Sequence, residues 1–397
     1  MSKVLISFLG TSREDIRTYQ SAIYRFTDGW QMESTFIAHV LKNYYHIDRM
    51  ILIGTVKSMW ENVYHTFSEK PDAAVTQKLQ EHCTHAGAQS ELYLPHKDKV
   101  EQALGNGSKV LLIQYGLTEE EIRYNESVIL GLEKWLNNGD ELYIDITHSF
   151  RSLPLFLMNT LIYLKNVSRK QISITHISYG MLDVSRELGY TPIVELNSLL
   201  QTHDWISGAY SFMEFGNAYR IAHLLEDGYK ELSDKLRSFS DVKSLNYLDA
   251  LEKQVIELRS LRKRSMPTIA RMVVPMVIDE FLSHFEGFSS HAQFQYRLAV
   301  WHFEKHNYAS SYIVLVEAII SYVCEQNGWN ECAQSDRDEA KNALFTDSRF
   351  YKLKKIYNQV NNVRKQIAHS VKGNKEYSEM IRNLENNIKL VSPFYNH

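Results

Sequence analysis

The sequence predicts an α/β protein in two parts: a Rossmann-like, mostly parallel sheet over residues 1–200, followed by an all-helical remainder. Two observations carry that expectation. Short apolar, β-rich runs alternate with amphipathic stretches up to about residue 200, and beyond Gln201 long helical periodicities take over with no convincing strand. At 397 residues the chain is also long enough for two cores on the usual ~150-residue scale.

Strand-like runs fall at residues 4–9, 50–53, 91–94, 109–114, 141–146, 171–179 and 192–196, with helical stretches at 32–45, 118–137 and 153–165 between them. The opening run, Met1 to Leu9, is short for a signal peptide and is followed at once by Arg13, Glu14 and Asp15, so it reads as a buried strand. Past Gln201 the periodic segments are 205–226, 245–264, 294–325, 350–369 and 377–390. Gly287 and neighbouring serines break the pattern at 285–291. The division expected is therefore 1–200, a helical connector at 201–290, and a last domain at 291–397.

Charged residues are 23% and apolar ones 44%, as in an ordinary globular protein. A net charge of −3 argues against an overall field for nucleic acid, so RNA would have to meet local patches. No run reaches the ~20 apolar residues of a membrane span, because Glu317 interrupts residues 312–324. A cytoplasmic protein with no membrane contact is the expectation. Cys83, Cys324 and Cys332 are too few and too scattered for a disulfide framework or a zinc site, and no metal is expected. His82, His85 and His96 near Cys83 lack a ligand pattern, and that stretch reads as a surface loop.

Parallel sheets bind ligands beyond the carboxyl ends of their strands, where several motifs fall. Gly10-Thr11-Ser12 follows the first strand, offering a tight turn and two hydroxyls. Gly54-Thr55 follows the second, with Lys57 and Ser58 close by. Neither Gly-x-Gly-x-x-Gly nor a P-loop is present, which disfavours a nucleotide-metabolising enzyme. Asp145-Ile146-Thr147-His148-Ser149-Phe150-Arg151-Ser152-Leu153-Pro154 runs from a strand into a helix. Arg151 would meet an anion at that helix start, where Ser149 or Ser152 would cap and Pro154 would occupy the first turn.

In the helical half the spacing Arg-x4-His occurs twice. Arg297 to His302 lies among bulky apolar residues and reads as a core face. Arg364 to His369 lies in a polar helix. A histidine near neutral pKa can move a ribose 2′-hydroxyl proton, and an arginine can hold the charge that builds on phosphorane oxygens. Residues five apart do not share a helix face, so two copies facing each other across a symmetric dimer would complete such a site. The plainer alternative is a solvated arginine and a histidine favoured by the helix C-terminus.

Taken together, Gly10-Thr11-Ser12, Asp145-Ile146-Thr147-His148 and Arg364-x4-His369 resemble the CRISPR-associated CARF-HEPN ribonucleases of type III systems, over essentially the whole chain. The resemblance implies a CARF domain that binds a cyclic oligoadenylate activator, a ring of four adenylates above all, through Gly10, Thr11, Ser12, Asp145, Thr147 and His148. Thr55 and Arg151 join them as candidate ligand contacts. It implies a HEPN domain that cuts single-stranded RNA without a metal or other cofactor through Arg364 and His369, leaving 2′,3′-cyclic phosphate and 5′-hydroxyl ends. A homodimer or higher even-numbered oligomer in antiviral defence would follow. Adenines would find walls at Tyr115 or Phe150, although such aromatics are more often core, and the basic run from Arg259 to Arg264, with Arg271, would guide RNA. Two departures stand out: Ser149 where the family commonly has glycine, and Lys365 where Asn, Asp or His often follows the arginine. Competing readings are a ring nuclease that cleaves its own ligand with Thr11, Ser12 or Thr147, and a non-enzymatic ligand-gated regulator.

Overall fold

The computed structural model describes residues 2–11, 21–148, 150–261, 268–369 and 376–395, and the chain separates into two compact units, Met1–Gln201 and Thr202–His397. The first unit is built on an eight-stranded sheet. Its strands are β1 (Lys3–Leu9), β2 (Ala22–Arg25), β3 (Gln31–Ser34), β4 (Arg49–Gly54), β5 (Lys109–Leu112), β6 (Glu141–Asp145), β7 (Ser173–Gly180) and β8 (Thr191–Glu195). They lie in the order β3-β2-β8-β7-β6-β1-β4-β5. All pairings are parallel except β2 with β3 and β7 with β8.

The period of two explains why these runs are apolar throughout. Val4, Ile6 and Phe8 of β1, Ile51 and Ile53 of β4, and Leu142 and Ile144 of β6 point to one face, where they meet the helix Leu153–Asn166 through Leu153, Leu157, Leu161 and Leu164. Leu5 and Leu9, Met50 and Leu52, and Tyr143 point to the other, beneath the helices Ile37–Tyr45, Trp60–Phe67, Ala73–His85 and Lys97–Leu104. At the amino ends, Arg49 and Asp140 form a buried ion pair that Ser2 also joins.

Several elements differ from expectation. Residues 91–94 are not a strand: Leu94 is buried while Tyr93 is exposed, and the segment leads through Pro95 into the helix Lys97–Leu104. The stretch 32–45 is not one helix, because Met32 to Ser34 pair in the hairpin of β2 and β3. Asp28-Gly29, with Gly29 at φ +90°, makes that turn, and it is a hairpin signal readable from the sequence. Cys83 sits in the helix Ala73–His85, not in a surface loop; Val75, Leu79 and Cys83, four apart, bury one face.

The second unit is helical throughout its described residues. Its centre is the helix Tyr308–Asn327, packed against His291–Glu304, Gln334–Thr346, Tyr351–His369 and Tyr377–Val391. By length and composition that central helix would cross a membrane, contrary to the reading of the sequence, but Tyr312, Val314, Leu315, Ile319, Ile320 and Val323 are the core here. His306, at φ 57°, separates it from His291–Glu304, so residues 294–325 form two helices instead of one. His302 is fully buried beside Trp301, as its apolar neighbours implied.

Candidate functional site

β1 is the switch point of the sheet, with β4 on one side and β6 on the other. A cavity of about 290 Å³ opens at the carboxyl ends of these strands. Gly10 and Thr11 line it from β1, Gly54, Thr55 and Ser58 from β4, and Thr147 and His148 from β6, with Ile53, Ile113, Phe150 and Leu153 as apolar walls.

Asp145 holds this edge from beneath. It has no exposed surface and does not line the cavity. Ser7, its register partner across β1 and β6, donates its hydroxyl to Oδ2 at 2.6 Å, and the Thr147 amide donates to Oδ1 at 2.9 Å. Burial pushes the Asp145 carboxyl up from its ordinary value, while these two hydrogen bonds and His148 pull it down. Thr147 then accepts the Gly180 amide at 2.8 Å, tying β6 to the end of β7. A Cβ on Gly180 would lie 2.9 Å from Ile37 Cδ1, so that side chain would have to shift to admit one.

Ser58 plays the corresponding part between β1 and β4. Its hydroxyl donates to the Leu9 carbonyl at 2.8 Å, accepts the Thr55 amide at 3.0 Å, and lies 3.3 Å from Thr55 Oγ1. Thr55 is therefore buried and engaged, with Trp60 Nε1 donating to its carbonyl at 2.8 Å. A Cβ on Gly54 would meet both Ser58 Oγ and Trp60 Cζ2 at 2.8 Å, so this loop requires glycine for close approach.

His148 has a different standing. Its Nε2 is buried without a hydrogen-bond partner, and burial lowers the imidazole below its ordinary pKa, opposed by Asp145. Neutral imidazole is the form that faces the cavity near pH 7. The ring packs on Gly10, where a Cβ would lie 3.4 Å from that of His148. A side chain at position 10 would meet His148 at ordinary contact distance, and the φ of Gly10 is not left-handed, so no special turn demands glycine there.

Among the described residues no charged side chain lines the cavity. Apolar walls with a few hydroxyls and one unpartnered imidazole suit a flat, neutral, hydrogen-bonding group such as a base better than a bare phosphate. Arg151 is exposed just before the helix Leu153–Asn166 and does not line the cavity. Ser152 is the N-cap of that helix but its side chain makes no capping bond. Phe150, which lines the cavity, is 39% exposed, and Tyr115, its ring 5.6 Å away, is half-buried and does not line the cavity, so neither is core. Ser12 and Ser149 lie outside the described residues. Ser7 joins the site as a residue that sequence reasoning missed, the one polar residue in the run from Val4 to Leu9, standing opposite an aspartate.

Residues 4–182 match the family model described as CRISPR system endoribonuclease Csx1, CARF domain. The first unit is thus similar to a CRISPR-associated CARF domain. Residues 201–290 match a second model, CRISPR-associated protein MJ1674, second domain. The chain is 33% identical over 401 residues to CRISPR-associated protein MJ1674 of Methanocaldococcus jannaschii, an alignment that covers 93% of this chain and 62% of that relative. It thus spans about 62% of the length of the curated relative. Among solved structures, Csm6 of Enterococcus italicus bound to cyclic hexa-2′-fluoro-hexa-dAMP superposes with a TM-score of 0.41 at 12% identity, covering 100% of this chain and 94% of that one.

In the second unit, Arg364 and His369 both belong to the helix Tyr351–His369. Arg364 is half-buried and donates Nε to Asn361 Oδ1 at 3.0 Å. Burial raises the nearby Tyr357 phenol, which also lies in the field of Lys341, Arg364, Glu317 and Arg337. Arg337 pairs with Glu317, which leaves Arg364 without a carboxylate of its own among the described residues. The side chains of His369 and of Arg259 through Arg264 lie outside the described residues. At 3.6 residues per turn, positions 364 and 369 are about 140° apart around the helix axis.

Proposed function

We propose that this protein is a ligand-gated ribonuclease of type III CRISPR defence, acting in the cytoplasm. A cyclic oligoadenylate, a ring of four adenylates in the simplest case, is sensed at the CARF cavity, and single-stranded RNA is cut at Arg364 and His369. Residues 201–290 connect the two, and 291–397 form the nuclease domain, of HEPN type. The carrying observation is a neutral, base-sized cavity at the switch point of a Csx1-type CARF domain, in a chain that also presents a carboxylate-free arginine on a helix ending in histidine.

In this reading His369 takes the proton of the ribose 2′-hydroxyl, the oxygen attacks the adjacent phosphorus, and the 5′-oxygen leaves with a proton. Arg364 stabilises the equatorial oxygens. The products are a 2′,3′-cyclic phosphate and a 5′-hydroxyl, and no metal enters any step. Because the two positions splay around one helix, a homodimer supplies the facing pair. A ring with internal two-fold symmetry then contacts the same loops of both CARF domains, and it activates by binding the cutting-competent arrangement more tightly.

The test is cleavage of a fluorogenic RNA in EDTA, with product ends read by mass spectrometry. Arg364→Ala and His369→Ala should each lower the rate at least 100-fold with unchanged thermal melting. Full cleavage by either variant, or loss of wild-type cleavage in EDTA, would overturn the assignment. The unpartnered His148 Nε2, in a cavity that Thr11 and Thr147 also line, favours a second reading, cleavage of the ring itself in that cavity. Incubating the ligand without RNA separates that activity from sensing.

A further inference from the structure

The helix Tyr351–His369 carries Lys352, Lys354, Lys355, Arg364 and Lys365 and no carboxylate, in a chain whose net charge is −3. Several helical lysines elsewhere are met by acids one turn away, as in Lys97–Glu101, Lys253–Asp249 and Lys389–Glu385. Here Lys354 turns to the Phe345 carbonyl and Arg364 to Asn361. Lys352, Lys355 and Lys365 are exposed, with no ion pair or hydrogen bond among the described residues.

The exposed side chains are also ordered. Tyr351, Lys355, Asn358, Asn362 and Lys365 recur at intervals of four and three, forming one row on the side away from buried Leu353 and Val360. Position 369 follows one turn later. Tyr351 is 73% exposed at the start of the row. Lys352 and Lys355, three apart, repel one another, which costs a few tenths of a kcal/mol and does nothing for the fold.

We propose that this row is the track on which the RNA strand lies before it is cut. Phosphates sit on Lys355 and Lys365, base edges meet the Asn358 and Asn362 amides, and one base stacks on Tyr351. The amides offer a donor and an acceptor each, as base edges require. An aromatic platform asks for an unpaired base, so the occupant is single-stranded. Two such rows facing each other would repel unless a polyanion lay between them, which disfavours a second copy as the direct occupant.

The proposal rests on the ribonuclease reading but is measured apart from it. Anisotropy of a labelled single-stranded RNA is followed from 50 to 200 mM salt for the full chain and for Lys355→Gln/Lys365→Gln. Each lost phosphate contact should reduce the slope of log affinity against log salt by about 0.7, so the double variant should lose about 1.4 and bind roughly tenfold more weakly at low salt. Tyr351→Ala should weaken binding without changing the slope, and Tyr351→Phe should restore it. Equal affinity and slope in wild type and double variant overturn the track, as does a loss explained by a changed sedimentation mass. RNA bound on the row but left uncut would sink the ribonuclease reading and keep the track; RNA cut with an unchanged KM and salt slope in the double variant would do the reverse. A wild-type chain that binds no RNA ends both.

Discussion

His148 and His302 are both withdrawn from water, yet only His148 borders a cavity. Both nitrogens of His302 lack partners in the core, and burial, with Lys243 adding, pushes its pKa down to about 3 from 6.5. Above pH 6.5 folded and unfolded imidazoles are both neutral, so nothing changes with pH. Between 6.5 and 3 the unfolded chain takes a proton that the folded one refuses, and stability falls toward acid. At pH 5 the loss is about 2 kcal/mol, from 1.36 kcal/mol per pKa unit. His302→Leu should therefore shrink the drop in melting temperature between pH 7 and pH 5 by about 4–8 °C. An unchanged drop would show that this imidazole is not held neutral. The core role of His302 was legible from its bulky neighbours. That Asp145 would lie under the cavity, and Thr147 and His148 along it, was not, because a string of polar residues after a strand does not reveal which of them the next strand covers.

At the scale of elements, Ser7, Asp145, Thr147 and Gly180 form one hydrogen-bonded line from β1 through β6 to β7. Asp145→Ala would leave the buried Ser7 hydroxyl and the Thr147 amide unpaired, at about 1–3 kcal/mol each. We expect a lower melting point for the first unit together with loss of cyclic oligoadenylate binding in calorimetry, whereas Asp145→Asn, whose Oδ1 can accept the Thr147 amide while its Nδ2 donates to the Ser7 hydroxyl, should recover most of the stability. Equal stability for alanine and wild type would mean the line carries no load. The central strands were readable because parallel strands covered on both faces are apolar at nearly every position. Residues 91–94 show where that rule misleads: four residues of strand-like composition anchored a loop through Leu94 alone. The hairpin of β2 and β3 escaped because its residues alternate in exposure, a pattern that merged with the helix behind it.

For the whole molecule, the switch from alternating strands to helical periodicity near residue 200 marked the change that the compact units show at Gln201. Net charge argues for local contacts with RNA, and the carboxylate-free helix Tyr351–His369 is the patch proposed for them in a chain of −3. Sequence periodicity identified that helix but not the pairing of its cations, which depends on neighbours distant in the chain. In the proposed function, occupancy of the cavity in the first unit sets the rate of cleavage at the helix Tyr351–His369. The direct measurement is the initial rate of single-stranded RNA cleavage by the full chain in EDTA, titrated with cyclic tetra-adenylate. A saturable rise of at least tenfold is the predicted result. A rate that stays flat at every concentration of this and other cyclic oligoadenylates would contradict the account.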